Sequence, residues 1–587
     1  PPRNRIRSGT CFVAMSERVE NTALRRDQFF GEGRGFSRPA FVETGSHAAV
    51  ANDELPVAAL LTTVDLPAGG ERFISIVLGQ ADTRKHAEAC VKKFQRVEQA
   101  EQSLQATRDW WMALQSTLKI DTDQPEFDAY VKWMKYQTLS ERIWARKGFY
   151  QASGAFGFRD QLQDTVNMIW VDPSLARAQL ILYAAQQFPE GDTAHWFFLQ
   201  QDGRTGFLSR SHACDNLLWL CWGIGEYVRM TGDKTILDER VSYLKAETPL
   251  PPLPAGKHGM GFYPLRSPRS DTVYKHVLCA LNLVLKKRLG RNGLPLMGTG
   301  DWNDGLDEIG SKGRGESVWM AFFLIYIIKN LQSILCEREG KRRCHEYEQD
   351  ALRIGRSVEK VWRGDRYLRA IHDDGTEIGV SGAGYWEIDA LGAAWAVFAG
   401  VNPEHSRIAL DTALSILEKD RIISLGWPAL REDTKPYLGR SSTYPEGVRE
   451  NGMYSHGVQW LSRACRLLSE QFAAKGDIET ARYYRDAAVR IWYKISAIPH
   501  TQGAEIENYG GQPNQQCADY LTVHDPGRMI WSGYTGAAGW MLRQACESVI
   551  GATLSNNKVV MPADLDVPRG GLSVKRIRRN IAKSPFK

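Results

Sequence analysis

The sequence has no Cys-x-x-Cys pair, no Gly-x-x-x-x-Gly-Lys-[Ser/Thr] loop and no Gly-x-Gly-x-x-Gly turn. These absences argue against a zinc site and against the commonest nucleotide-binding turns. The longest apolar runs, Trp319 to Ile328 and Leu391 to Val401, fall short of the ~18 to 20 residues that cross a bilayer as a helix, so no membrane span is expected. No apolar region follows the first residues, Pro1 to Ile6, and no secretory leader is expected. Ten cysteines are scattered from Cys11 to Cys546, which fits reduced, mostly buried thiols and a cytoplasmic location better than a disulfide framework. Charge of one sign is scarce: 74 basic minus 68 acidic residues leaves +6 over 587 residues, too dilute to mark a nucleic-acid surface.

What is present is a large, foldable chain. Its length is about four times the ~150 residues of an average domain. Hydrophobic residues at 43% and charged residues at 24% exclude a disordered or fibrous class. Residues 1–80 hold β-branched and aromatic runs such as Thr10 to Ala14 and Arg72 to Leu78 between Gly and Pro turns, and read as β-rich. From Asp82, a candidate N-cap, to Ser116 there is no Pro or Gly, which predicts one long connecting helix across 81–121. Between 122 and 550 about a dozen segments carry helical periodicity, among them 126–146, 173–187, 213–230, 271–288, 316–334, 455–473 and 478–495. Asp172-Pro173 and Asn402-Pro403 each place an Asx N-cap before Pro at the first helical position. So many helices without a firm repeat predict a closed α/α toroid rather than a solenoid. Residues 551–587 return to strand-like composition, and the basic run Lys575 to Lys587 is either a solvated terminus or a polyanion site.

Three loop clusters carry polar chemistry. Gly298-Thr299-Gly300-Asp301-Trp302-Asn303-Asp304-Gly305 sets two carboxylates, an amide and an indole between glycines; it is either a tight Asx turn with a packed Trp or a loop that meets a ligand. In Gly157-Phe158-Arg159-Asp160-Gln161-Leu162-Gln163-Asp164, Asp160 and Asp164 share a helix face and either complement the helix dipole or rim a site. Gly191 to Trp196 and Cys214-Asp215-Asn216 add further acids, amides and aromatics. Arg449 and His456 in the loop from Tyr444 to His456, with Trp531 to Gly536, suit an anion at helix N-termini. The 18 Trp and 21 Tyr, many beside polar residues, suit sugar rings, although Trp is also a common core residue.

In combination these motifs, with Tyr150 to Asp164, Gly447 to Gly452 and Tyr534-Thr535-Gly536, resemble glycoside hydrolase family 94, the inverting phosphorylases of cellobiose, chitobiose and β-1,2-oligoglucans and the C-terminal domain of cyclic β-1,2-glucan synthases. The resemblance covers about residues 10–565 and is closest to the synthase branch. It implies a mainly α fold, an (α/α)6 barrel at 122–550 with an N-terminal β-sandwich at 1–80, a helical linker and a small C-terminal β element. By resemblance, Asp304 is the general acid and Arg159, Asp160, Asp164, Asp215, Asp301, Trp302 and Asn303 surround the sugar. Arg449, His456, Thr535 and Gly536 correspond to the phosphate seat. The implied partners are a β-glucan or β-linked oligosaccharide and inorganic phosphate as co-substrate, with no metal, no other cofactor and a homodimeric state. Three departures stand out: Asn216 replaces an acid of the family pattern, the N-terminal sandwich is short, and the run Lys575 to Lys587 matches nothing in that pattern.

One acid then suffices, because phosphate is already an anionic nucleophile and needs only to be held in line. Asp304 must carry a proton in the resting complex, which a dry site and the neighbouring Asp301 are expected to promote; the alternatives are an inverting hydrolase on the same barrel and a non-catalytic glucan-binding module.

Overall fold

The computed structural model describes residues 10–45, 56–144, 154–200, 202–255, 259–532, 536–561 and 573–576. The chain divides into two units between Ser116 and Thr117.

In the first unit the β-branched runs form two antiparallel ladders, Thr10–Met15 with Ile76–Ala81 and Asn21–Arg25 with Pro56–Leu61. The expected single connecting helix is two: Arg84–Phe94, which packs on the first ladder, and Val97–Gln115. Thr83 rather than Asp82 caps it, its hydroxyl accepting from the His86 N–H. Arg96 has an extended backbone and separates the helices; nothing local in the sequence forces the break.

In the second unit six helices close a ring. Phe158–Asn167 packs on Asn216–Thr231, which packs on Val318–Glu359, then Ala390–Ala399, Ser455–Ala474 and Ala537–Gln544, which returns to the first. Further helices back them: Pro173–Ala184 and Val273–Lys287 on Asn216–Thr231, Pro403–Leu417 on Ala390–Ala399, Ile478–Ile495 on Ser455–Ala474, and Pro125–Gln137 on Ala537–Gln544. The Asx-Pro signals act as caps, Asp172 accepting from the Ser174 and Leu175 N–H groups and Asn402 from Glu404 and His405. The segment expected to end near residue 334 runs on to Glu359 across a break at Gly340 (φ 78°, ψ 167°). Its second half buries Tyr347, Ala351, Ile354 and Val358 on one face and is charged on the other, with pairs such as Arg343–Glu346 and Arg353–Asp350. The strand Leu118–Asp121 pairs with Ser573–Arg576, and Thr553–Ser555 with Lys558–Val560 through a left-handed Asn556-Asn557 turn. Residues 577–587, most of the basic tail, lie outside the described residues.

Two expectations need correction. Cys336 and Cys344 form a disulfide across the Gly340 break, so the thiols are not all reduced. Val318–Glu359 is long and apolar enough, by length and composition, to cross a membrane. Its apolar window is 72% buried inside the fold, which is the character of a ring helix packed on both sides.

The tryptophans mostly fill the ring rather than line a ligand site. Trp460 is fully buried, with its centroid 5.2 Å from Trp302, 5.2 Å from Trp395 and 5.8 Å from Trp540. Trp219, stacked on Trp460 at 6.4 Å, and Trp222, tilted against Trp540, extend the cluster. Trp460→Ala is expected to lower unfolding free energy by about 3–5 kcal/mol in urea denaturation; a loss under about 1 kcal/mol would show that the ring does not depend on the indole cluster.

Candidate active site

A four-stranded antiparallel sheet forms one wall of a cavity of about 380 Å³. Its central hairpin pairs Ala194–Leu199 with Thr205–Arg210, and Phe156–Gly157 and Met260–Phe262 flank it. The register slips between Ala194↔Arg210 and Trp196↔Ser209, which makes His195 the extra residue of a β-bulge. In a regular strand adjacent side chains face opposite ways. Here the bulge turns both His195 and Trp196 to the cavity.

The loop from Gly298 to Gly305 forms another wall, and its side chains alternate in purpose. Gly298 has φ 61°, and a Cβ there would strike the His212 carbonyl, so glycine is required. Asp301 is fully buried and takes both Arg369 guanidinium nitrogens at 2.7 and 2.8 Å, the Ser317 hydroxyl at 2.7 Å and the Asn303 N–H. Asn303 Oδ1 accepts from the same guanidinium at 3.0 Å. Trp302 enters the indole cluster, 4.9 Å from the His456 ring. None of these three lines the cavity; Asp304 does. Ser317 also caps the long ring helix, so the loop is tied to the N-terminus of that helix through one hydroxyl.

Arg159, at the first turn of Phe158–Asn167, connects the carboxylates. Its guanidinium lies 3.0 Å from Asp215 and 2.7 Å from Asp304, and donates to the Asp301 carbonyl at 2.7 Å. Asp215 is fully buried, with the Trp219 indole N–H at 2.9 Å. Burial pushes its carboxyl up to about 6, against the pull of Arg159 and Trp219. Asp160 lines the cavity, whereas Asp164 is fully buried one turn on against Arg142 at 3.0 Å. Burial raises Asp164 to about 7 despite that arginine.

In the free protein Asp304 is set among cations rather than beside the Asp301 charge. Burial raises its carboxyl, but Arg159, His195, Arg449 and Arg440 outweigh burial and hold it below the ordinary carboxylate range. Asp301 does not protonate it, because the Asp301 charge is absorbed by Arg369. In the free protein Asp304 is therefore a carboxylate. His195 stands beside it, Nε2 3.8 Å from Asp304 Oδ1 and Nδ1 2.7 Å from Ser211 Oγ. Burial holds this imidazole below its usual value, against the pull of Asp304. Arg440 donates to the Asp304 carbonyl at 2.9 Å and pairs with Asp307 at 2.9 Å at the same end of the cavity.

Of the expected phosphate group, Arg449 has a left-handed backbone (φ 52°), unusual for a non-glycine. Its N–H is held by Asp519 at 2.7 Å, and its guanidinium lies over Tyr444, Tyr454 and Trp531. His456 is fully buried; Nδ1 accepts from the Gly536 N–H at 3.2 Å, so its proton sits on Nε2 and is donated to Gln163 at 2.9 Å. Burial keeps it neutral, with Arg142 and Arg159 adding to the effect. Thr535 lies outside the described residues, as do Tyr150 to Ser153.

No sequence pattern marks Arg369 or Arg440, cations far in the chain from the carboxylates they hold. His195 stood in a noted cluster, but only the bulge reveals its direction.

Arg159→Gln leaves Asp215 with Trp219 as its remaining side-chain partner among the described residues. A carboxyl raised in the folded state contributes stability that is present below its unfolded value and lost as pH rises through the folded one. The variant is therefore expected to lose about 3–5 kcal/mol at about pH 7.5, and clearly less near pH 5, in urea denaturation. An equal loss at both pH values would contradict the role given to this ion pair.

Comparison with known proteins bears on both units. Residues 110–249 and 260–551 match the model of the glycosyl hydrolase 94 superfamily catalytic domain, and residues 2–97 that of the glycosyl hydrolase 94 supersandwich domain. The chain is 33% identical over 564 residues to the cyclic beta-(1,2)-glucan synthase NdvB of Rhizobium meliloti (strain 1021), covering 94% of this chain and 19% of that protein. It is 26% identical to a 3-O-beta-D-glucopyranosyl-beta-D-glucuronide phosphorylase of Paenibacillus borealis, covering 91% of this chain and 65% of the relative. To a 1,2-beta-oligoglucan phosphorylase of Listeria innocua serovar 6a it is 23% identical, covering 76% and 41%. The chain thus spans less than two thirds of each of these relatives. With model matches across most of its length, the chain belongs to glycoside hydrolase family 94.

Proposed function

We propose that the chain performs inverting phosphorolysis of a β-linked glucoside, on an (α/α)6 barrel made by the closed ring and its backing helices. The observation that carries this reading is the singling out of Asp304. It alone of the Asp301 to Asp304 stretch reaches the cavity, under the field of three guanidinium groups and His195. The β-1,2 linkage follows from the relatives whose names carry it, the glucan synthase and the oligoglucan phosphorylase.

In the reaction a phosphate oxygen attacks the anomeric carbon from the face opposite the leaving oxygen. The C–O bond breaks, its electron pair stays on the leaving oxygen, and that oxygen takes the proton of Asp304. The products are α-glucose 1-phosphate and a glucan shortened by one unit. A resting Asp304 carboxylate must first gain that proton from solvent, and the proton of the attacking hydrogen phosphate is released to solvent in its place. Phosphate drawn to Arg449 and the seat formed with His456, Thr535 and Gly536 offsets the cations that keep Asp304 ionised, so nucleophile binding readies the acid. Arg159 fixes the carboxyl's orientation, and Asp160 meets sugar hydroxyls. No cofactor is required beyond phosphate as co-substrate.

A second reading, hydrolysis, draws on Asp160 and Glu308, carboxylates on the cavity wall that could activate water. Glucose 1-phosphate release from a β-1,2-linked oligoglucan, measured with and without phosphate, separates the two; free glucose at an undiminished rate without phosphate would favour hydrolysis. Asp304→Asn is expected to lower kcat by about 10²–10⁴-fold while keeping sugar binding, and near-normal turnover would exclude Asp304 as the acid. His456→Ala is expected to raise the KM for phosphate more than that for sugar, and an unchanged phosphate KM would remove His456 from the seat.

A further inference from the structure

The sheet that carries His195 has a second feature, separate from the acid. Residues 205 to 210 alternate half-buried and buried, so Thr205, Phe207 and Ser209 share the face that looks away from the core. Ser209 lines the cavity opposite Trp196, its cross-strand partner. Beyond Trp196 the aromatic surface continues: the Phe207 ring lies 5.7 Å from Trp196, and Tyr263 lies 5.4 Å from Phe207. Gly261 makes room for it, since a Cβ there would stand 2.5 Å from Phe207 Cζ. Trp196 and Phe207 are half-buried, and Tyr263 is 51% exposed. The other face of the hairpin is ordinary core, with Phe197 stacked on Phe156 at 5.1 Å.

A row of aromatic rings, turned 42° and 68° to one another, that begins at a polar cavity and leads to solvent is poorly explained as core, because its outer member contributes little burial. Flat rings offer apolar surface to the C–H faces of pyranoses, while a protein's own side chains would have covered them from the other side. We propose that Trp196, Phe207 and Tyr263 form a track that binds the leaving portion of a β-linked oligosaccharide longer than a disaccharide, so that the protein is built for chains. The proposal rests on the phosphorolytic reading for the direction of the chain, with the transferred glucose at Asp304 and the leaving portion along the sheet. The polar atoms of Ser209 and Ser211 at its inner end suit sugar hydroxyls.

The test compares a β-1,2-linked glucose disaccharide with the corresponding pentasaccharide. Phosphorolysis by Tyr263→Ala and by Phe207→Leu, which keeps apolar volume but removes the flat face, is measured on both substrates. The ratio of kcat/KM for pentasaccharide over disaccharide is expected to fall roughly three- to tenfold in each variant; an unchanged ratio overturns the track. Calorimetric titration of the unsubstituted protein and Tyr263→Ala with both sugars provides an arm independent of turnover. If the unsubstituted protein forms no glucose 1-phosphate, the phosphorolytic reading fails. The track still stands if the pentasaccharide binds more tightly than the disaccharide and Tyr263→Ala erases the difference, and it falls if the two sugars bind alike.

Discussion

The site depends on one guanidinium shared between two carboxylates of different standing. Arg159 neutralises Asp215, which is fully buried, and at the same time holds Asp304, which faces the cavity. A charge buried without a partner costs several kcal/mol, so the pair cannot be separated cheaply and the position of Asp304 is fixed by the stability of the ring itself. The same tie explains why the free protein keeps Asp304 ionised. In the proposed reaction Asp304 must be released from that cation's field before it can donate, and the incoming phosphate is the agent proposed.

The loop from Gly298 to Gly305 shows how a short motif divides structural from chemical duty. Asp301 and Asn303 clamp Arg369, and through Ser317 they reach the cap of the longest ring helix. Trp302 is driven into the indole cluster that fills the ring. With three successive side chains committed inward, the fourth has a single direction left, and the bulge at His195 brings an imidazole to meet it. Loop and sheet are thus held by contacts that the proposed reaction does not use, and Asp304 is the member of the stretch left facing the cavity.

Much of this was legible in the residues. The Asx-Pro pairs announced two helices because side-chain capping is a local interaction, and 478–495 matched its helix because its apolar face repeats at the helical period. The motif order pointed to the family, whose models match the chain. What stayed hidden was non-local. Arg369 meets Asp301 across 68 positions and Arg440 meets Asp307 across 133, and no spacing rule connects them. The surroundings of Asp304 were hidden too, because the sequence shows Asp301 as its neighbour, whereas the fold gives Asp301 to Arg369 and sets cations around Asp304. Tryptophan beside polar residues suggested sugar stacking, yet most of these rings close the core, since proximity in sequence does not tell which way a side chain turns.

The most direct measurement is the anomeric configuration of the sugar phosphate formed in the first turnovers on a β-linked glucan, read by proton NMR. In-line attack by phosphate opposite a single proton-donating aspartate gives the α-anomer. The β-anomer, which requires a covalent glycosyl intermediate and a second carboxylate, would contradict the account.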